Sequence, residues 1–258
     1  MEREYLLDEI SLAVKMAGEI IRPLTHIEVA KTKPGTANFV TEYDSRVQAF
    51  LIRELSKLVP DAEFVGEEDG YSEHKAVGAK TFIIDPIDGT TNFLCHYMES
   101  GISVAYAESG EPVIGVVYNP FRGELFTAEK GKGAFLNGRR LEIRDLPLEG
   151  GTFSGEIAPY NPEMRDEVFE RLKKISYHSM DFRDTGSAAL SICYVACGRS
   201  VAYLSAKLCV WDYAAAHIIL TEAGGVLSSF DGQPLKLRNH TSVYAATPKA
   251  LAQLLEME

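Results

Sequence analysis

The sequence predicts an α+β (mixed α/β) fold, a sandwich layered helix–sheet–helix–sheet–helix (αβαβα). Helix-period segments open and close the chain and recur in its second half. Short alternating segments fill the middle and read as a meandering, mostly antiparallel sheet, not as the regular strand–helix alternation of a dinucleotide fold. Strands return beyond residue 150, so helices bracket sheets in both halves.

The first helix is expected over Tyr5–Leu24, with Leu6, Ile10, Val14, Ala17, Ile21 and Leu24 on one face at three- and four-residue spacing. After a loop holding Pro34-Gly35, a second helix spans Glu42–Leu58, its inward face carrying Val47, Phe50, Leu51, Leu55 and Leu58. Thr41 is its N-cap, and Asp44 stands three residues on as an acidic capping-box partner. Strands are expected at Thr81–Asp85, Ile102–Glu108, Pro112–Asn119, Gly123–Glu129 and Gly133–Leu136, with a turn at Asn137-Gly138. Residues 144–151 connect an N-terminal half (1–148) to a C-terminal half (149–258) within one domain. Beyond lie a strand at Gly151–Ser154, a helix at Pro162–Ile175, an apolar helix at Ser187–Gly198 and a strand at Val201–Ser205. A helix at Asp212–Ala223 capped by Gly224-Gly225 follows, then strands at Val226–Phe230 and Ser242–Ala246. Thr247-Pro248 opens the last helix as N-cap and N1.

The 258 residues are 46% apolar and 24% charged, enough for a sizeable core. With 26 basic against 37 acidic residues the formal charge is -11, which argues against a partner held by its nucleic-acid backbone. No secretory leader and no membrane-spanning apolar run is evident, so the expectation is a cytoplasmic protein with no membrane partner. Cys95, Cys193, Cys197 and Cys209 form no Cys-x-x-Cys pair and are expected to be buried free thiols.

The chemistry centres on Phe82-Ile83-Ile84-Asp85-Pro86-Ile87-Asp88-Gly89-Thr90-Thr91-Asn92-Phe93. An apolar strand ends in two carboxylates three residues apart. Pro86 lacks an N–H and is expected to end strand pairing there. Asp85, Asp88 and the Ile87 carbonyl then suit Mg²⁺, which takes oxygen ligands. Gly89 admits a close ligand, and the N–H groups of Gly89 and Thr90 open a helix that attracts an anion. An isolated Asp-x-x-Asp would read as a turn. Glu67 in Gly66-Glu67-Glu68 alone reads as part of a surface pair, and Asp212, after the sole tryptophan Trp211, as an N-cap.

Together these strings, with Glu222-Ala223-Gly224-Gly225 downstream, closely resemble the inositol monophosphatases, a Mg²⁺-dependent, lithium-sensitive sugar phosphatase family. The resemblance runs from the first helix to the last strand. It implies that fold, a homodimer, and a small phosphomonoester as partner: inositol 1-phosphate or a related sugar phosphate, hydrolysed by attack of a metal-activated water. Two to three Mg²⁺ ions are implied. Glu67, Asp85 and the Ile87 carbonyl would hold the first, Asp85, Asp88 and Asp212 the second, and Glu67 a looser third. Asp44 and Thr90, with Glu67, would be catalytic, the first two orienting the water. Lys33, in Thr32-Lys33-Pro34-Gly35, would lie near phosphate, although a loop lysine alone is usually just solvated. Asp88, Gly89, Thr90 and Asp212 would face the substrate.

Gly186, Ser187 and Ala188 match positions against the substrate's hydroxyls. Animal inositol phosphatases carry a ring-binding glutamate seven residues before the position of Asp212, where this chain has Ser205. Losing that acceptor is expected to relax specificity, so fructose 1,6-bisphosphate and phosphorylated nucleotides such as 3'-phosphoadenosine 5'-phosphate stay open. The loop at 155–161 is expected to form another wall. Asp184-Thr185-Gly186-Ser187 also matches an aspartic-protease string, but that chemistry needs two such aspartates and no second copy occurs. A Gly-x-Ser-x-Gly elbow is missing too. A non-catalytic interaction module is the remaining alternative, opposed by the complete ligand set.

Overall fold

The computed structural model describes residues 3–22, 29–32, 39–68 and 78–257. In chain order the first half holds α1 (Arg3–Ile21), β1 (Val29–Thr32), β2 (Phe39–Thr41), α2 (Glu42–Leu58), β3 (Glu63–Gly66), β4 (Lys80–Asp88), α3 (Thr90–Leu94), β5 (Gly101–Glu108), β6 (Glu111–Asn119), β7 (Glu124–Glu129), β8 (Gly133–Leu136) and β9 (Arg139–Leu141). The second holds β10 (Phe153–Gly155), α4 (Arg165–Ser176), β11 (Phe182–Arg183), α5 (Ala188–Ala196), β12 (Ala202–Leu208), α6 (Val210–Glu222), β13 (Val226–Ser228), β14 (Thr241–Ala246) and α7 (Pro248–Glu256).

These form the expected five layers. The outer pair α1 and α2 packs through Leu6, Ile10, Val14, Leu51 and Leu55 onto Phe82, Ile84, Val104 and Ile114 of a seven-stranded sheet ordered β3-β4-β5-β6-β7-β8-β9. Only β3–β4 is parallel; the rest is an antiparallel meander. The sheet's other face meets α5 and α6, which lie between the two sheets. Burial on both sides explains why these helices are apolar nearly all round, with all nine residues of α5 buried. The second sheet runs β11-β10-β12-β14-β13, and α4 and α7 close its far side through Val168, Leu172, Ala250 and Leu254.

Several boundaries differ from expectation. The hairpin β1–β2 and the edge strand β9 were not foreseen, being only three or four residues long. Leu24 and Pro34-Gly35 lie outside the described residues. The helix expected from Pro162 starts as a single 3₁₀ turn before α4. Cys95 is exposed and Cys197 and Cys209 are half-buried, so only Cys193 is a fully buried thiol; all four are free.

Pro86 does not end β4. Pairing with β5 runs Asp85↔Ser103 and resumes at Asp88↔Gly101, so Pro86 and Ile87 together oppose Ile102 alone. This is a β-bulge, a position that tolerates proline because one N–H leaves the ladder. A second bulge sits on β12, where Ala206 and Lys207 fall between Ser205↔Val243 and Leu208↔Thr241.

Candidate active site

Both bulges open onto one cavity of about 420 Å³. Successive residues of a regular strand face opposite sides of the sheet. Ile87 and Asp88, and likewise Lys207 and Leu208, are consecutive and nevertheless share the cavity wall. The extra residue in each strand re-aims the side chains that follow it.

Four carboxylates line the cavity's acidic end: Glu67, Asp85, Asp88 and Asp212. Glu67 follows β3 and donates its N–H to the Ile84 carbonyl (3.3 Å). The next residue is clamped by α2, since Gln48 Nε2 donates to the Glu68 carbonyl (2.6 Å) and the Glu68 N–H donates to Gln48 Oε1 (3.0 Å). Asp85 Oδ1 accepts the Ile87 N–H (3.1 Å). Asp88 bridges the two halves at the N-terminus of α5, where it accepts from the Ser187 hydroxyl and from the N–H groups of Ala188 (3.2 Å) and Ala189 (2.7 Å). Such an end favours negative charge. Asp212 is not an N-cap: it is the third residue of α6 and accepts the N–H of the cap residue Cys209 (2.6 Å).

Burial raises the carboxyls of Asp85 and Asp212 well above the usual range, and the neighbouring Glu67 and Asp88 raise both further. Burial also lifts Asp88 to about 6, against the lowering effect of its bonds to Ser187, Ala189 and Ala188. Neighbouring carboxylates oppose one another's ionisation, and a divalent cation among them would relieve both repulsion and desolvation. Among the described residues no three Asp, Glu, His or Cys side chains are drawn together closely enough to clasp an ion as they stand. The donor set nonetheless fits a hard cation: it is all oxygen, borne by carboxylates and the Ile87 carbonyl.

Asp44 is buried behind the wall. Its Oδ2 accepts the N–H (2.7 Å) and hydroxyl (2.5 Å) of Thr41, while Thr41 Oγ1 accepts the Tyr43 N–H (3.2 Å), which completes the expected cap. The other oxygen, Oδ1, lies 3.3 Å from Thr90 Oγ1, which also lies 3.1 Å from the Ile87 carbonyl oxygen. Burial raises Asp44 to about 6. The cap thus reaches the cavity wall through Thr90.

Gly89 and Gly186 meet across the seam between halves. Gly89 has φ 87°, and a Cβ there would stand 2.8 Å from the Gly186 carbonyl oxygen. Gly186 has φ 68°, and its own Cβ would meet the Asn92 amide at 2.8 Å. Asn92 Nδ2 in turn donates to the carbonyls of Glu99 (2.8 Å) and Thr185 (2.6 Å).

Gly89, Thr90, Gly186 and Ala188 line the cavity with the acids. Ser187 and Ser205 do not: both are buried, and their hydroxyls are directed to Asp88 and Glu156. Lys33 lies outside the described residues. The 155–161 loop does form a wall, through Glu156, Ile157, Pro159 and Tyr160. Glu156 and Lys207 escaped the sequence reading because neither sits in a motif. The missing acid at Ser205 was the available cue, but it did not point to the Glu156 carboxyl, just after β10, to which Ser205 donates.

A family model described as the inositol monophosphatase family matches residues 2–257. Inositol monophosphatase 2 of Rattus norvegicus is 38% identical over 246 residues, covering 92% of this chain and 84% of that protein. Nus factor SuhB of Xylella fastidiosa is 34% identical over 227 residues, covering 85% and 80%. The crystal structure of extragenic suppressor protein suhB from Bartonella henselae superposes with a TM-score of 0.87 at 30% identity, covering 98% of this chain and 97% of that one. The five-layer fold, the acid-lined cavity and these matches make the chain a member of the inositol monophosphatase family.

Proposed function

We propose that the protein is a Mg²⁺-dependent phosphatase that hydrolyses a small phosphomonoester, inositol 1-phosphate or a related sugar phosphate. The observation that carries this reading is the meeting of Glu67, Asp85, the bulged Ile87 and Asp88, and Asp212 on one cavity beside Thr90. Glu67, Asp85, Asp88, Asp212 and the Ile87 carbonyl would hold two to three ions. When bound, Mg²⁺ supplies charge that neutralises phosphate oxygens and lowers the pKa of water. The chain's own residues do the rest. Thr90 Oγ1, donating toward Asp44, keeps a lone pair to accept a hydrogen bond from the attacking water. Asp44, with its carboxyl near 6, is matched to holding the released proton near neutral pH. The start of α3, at Thr90, lines the cavity and would bring N–H groups to the phosphate side, whereas the first amides of α5 are taken up by Asp88. A water oxygen bonds to phosphorus as its proton passes to Asp44, the ester P–O bond breaks, and the leaving alkoxide takes a proton from a solvent water.

Both halves, working as one domain, are needed, because Asp212, Gly186 and Ala188 come from the second. No helix among the described residues is long and apolar enough to cross a membrane. A cytoplasmic homodimer sensitive to lithium completes the reading. Phosphate release from a panel of phosphomonoesters with and without Mg²⁺ tests the activity, and no Mg²⁺-dependent release from any of them would overturn it.

Lys207 favours a second substrate class. It is the one lysine or arginine among the described lining residues, held by Asn161 Oδ1 (2.8 Å). A cation on the cavity wall suits a substrate with a second acidic group, such as fructose 1,6-bisphosphate. Lys207→Ala is expected to lower kcat/KM for the bisphosphate about tenfold more than for a monophosphate.

A further inference from the structure

We propose that Glu156 is the group that reads the substrate's polyol: its carboxylate accepts hydrogen bonds from hydroxyls of the phosphorylated ring or chain. This rests on the phosphatase reading above and names its substrate class, a polyol phosphate rather than an aryl or simple alkyl phosphate.

Glu156 follows β10, and its N–H donates to the Leu204 carbonyl (3.3 Å), so the backbone is tied to β12. Its side chain lines the same cavity as Asp88 and Asp212. Two buried hydroxyls of β12 fix the carboxylate. Tyr203 Oη donates to Oε1 (2.6 Å) and Ser205 Oγ donates to Oε2 (3.3 Å). A carboxylate offers about four lone-pair sites, so each oxygen keeps one. Its hydrogen-bond partners are Tyr203 and Ser205, and no lysine or arginine is among the groups acting on it. A buried carboxylate with spare acceptor capacity and no cation calls for neutral donors, and a phosphate would be repelled. Sugar and cyclitol hydroxyls are such donors. Ile157, Pro159 and Tyr160 follow it along the wall and offer apolar surface to the C–H faces of a ring. Tyr203 and Ser205 are positioning residues: they touch Glu156 and lie off the wall.

Under this proposal Glu156 would supply a hydroxyl acceptor despite Ser205. The acid that β12 lacks at Ser205 is delivered from β10 and bonded to Ser205 itself.

The test compares wild type, Glu156→Gln and Glu156→Ala on inositol 1-phosphate, glucose 1-phosphate and para-nitrophenyl phosphate with Mg²⁺. The ratio of kcat/KM for either polyol ester over the aryl ester is expected to fall about tenfold or more in both variants, mainly through KM. Tyr203→Phe and Ser205→Ala are expected to lower the same ratio less, with kcat retained. Equal losses on polyol and aryl esters, no loss on any, or a wild type with no polyol preference would each overturn the proposal. Wild type that hydrolyses nothing overturns the phosphatase reading instead. Glu156 is then read by calorimetric titration of inositol 1-phosphate: weaker binding by Glu156→Gln supports it, and equal or undetectable binding by both proteins overturns it.

Discussion

Asp88 carries two loads, an α5 N-terminus and, in the proposed reaction, a metal. Asp88→Asn keeps one carbonyl acceptor for the α5 amides but removes the charge. Turnover is expected to fall at least about 100-fold, beyond the 10–100-fold typical of outer-shell ligands, with the thermal midpoint within a few degrees of wild type. Near-normal phosphate release from this variant would count against Asp88 as a ligand. Ser205→Glu, in contrast, is expected to set a second carboxylate against Glu156 and weaken inositol 1-phosphate turnover. A gain would show that β12, not β10, is the place for the acid. At this scale the sequence was readable where residues adjoin. Asp85, Ile87 and Asp88 share one turn of chain, so their chemistry needed no knowledge of the fold. Glu156 meets Tyr203 and Ser205 only after β10 and β12 pair in parallel, which no local pattern announces.

Among elements, the apolar helices and the meander were legible from periodicity, and Thr41 and Thr247 cap the helices assigned to them. The two bulges were not, because a bulge is a relation between two strands and leaves no period of its own. Proline gave half the signal on β4, and Ala206-Lys207 gave none on β12. The α2 cap links stability to chemistry. Thr41→Ala removes both a cap acceptor and a donor to Asp44, so it is expected to cost about 1 kcal/mol of stability. Turnover should fall with it, through a less firmly held Asp44. Denaturant melts alongside kinetics check this, and lost stability with unchanged kcat would separate the cap from the reaction.

Across the whole molecule, one acidic cavity sits where two sheets and their shared helices meet, and its charge is felt by the fold. Asp44 and Asp88 titrate near 6 and Glu156 near 7 in the folded chain, all raised by burial, against about 4 when unfolded. The native state therefore binds more protons than the unfolded state between those values, and stability falls as pH rises through the folded pKa. With divalent ions chelated, the thermal midpoint is expected to be several degrees lower near pH 8 than near pH 5.5. Mg²⁺ near pH 8 is expected to restore it. Scanning fluorimetry over that range checks both, and a flat chelated profile would mean the cavity's charges do not strain the fold.

The bonds from Ala188 and Ala189 to Asp88 also serve as a built-in gauge. Their amide protons sit on one side of a carboxylate whose residue faces the cavity on the other. Whatever occupies the cavity and draws on Asp88 must shift those two resonances and alter their hydrogen exchange. Two backbone nuclei in an otherwise apolar helix thus give a spectroscopic readout of occupancy that needs no turnover and no label on the ligand.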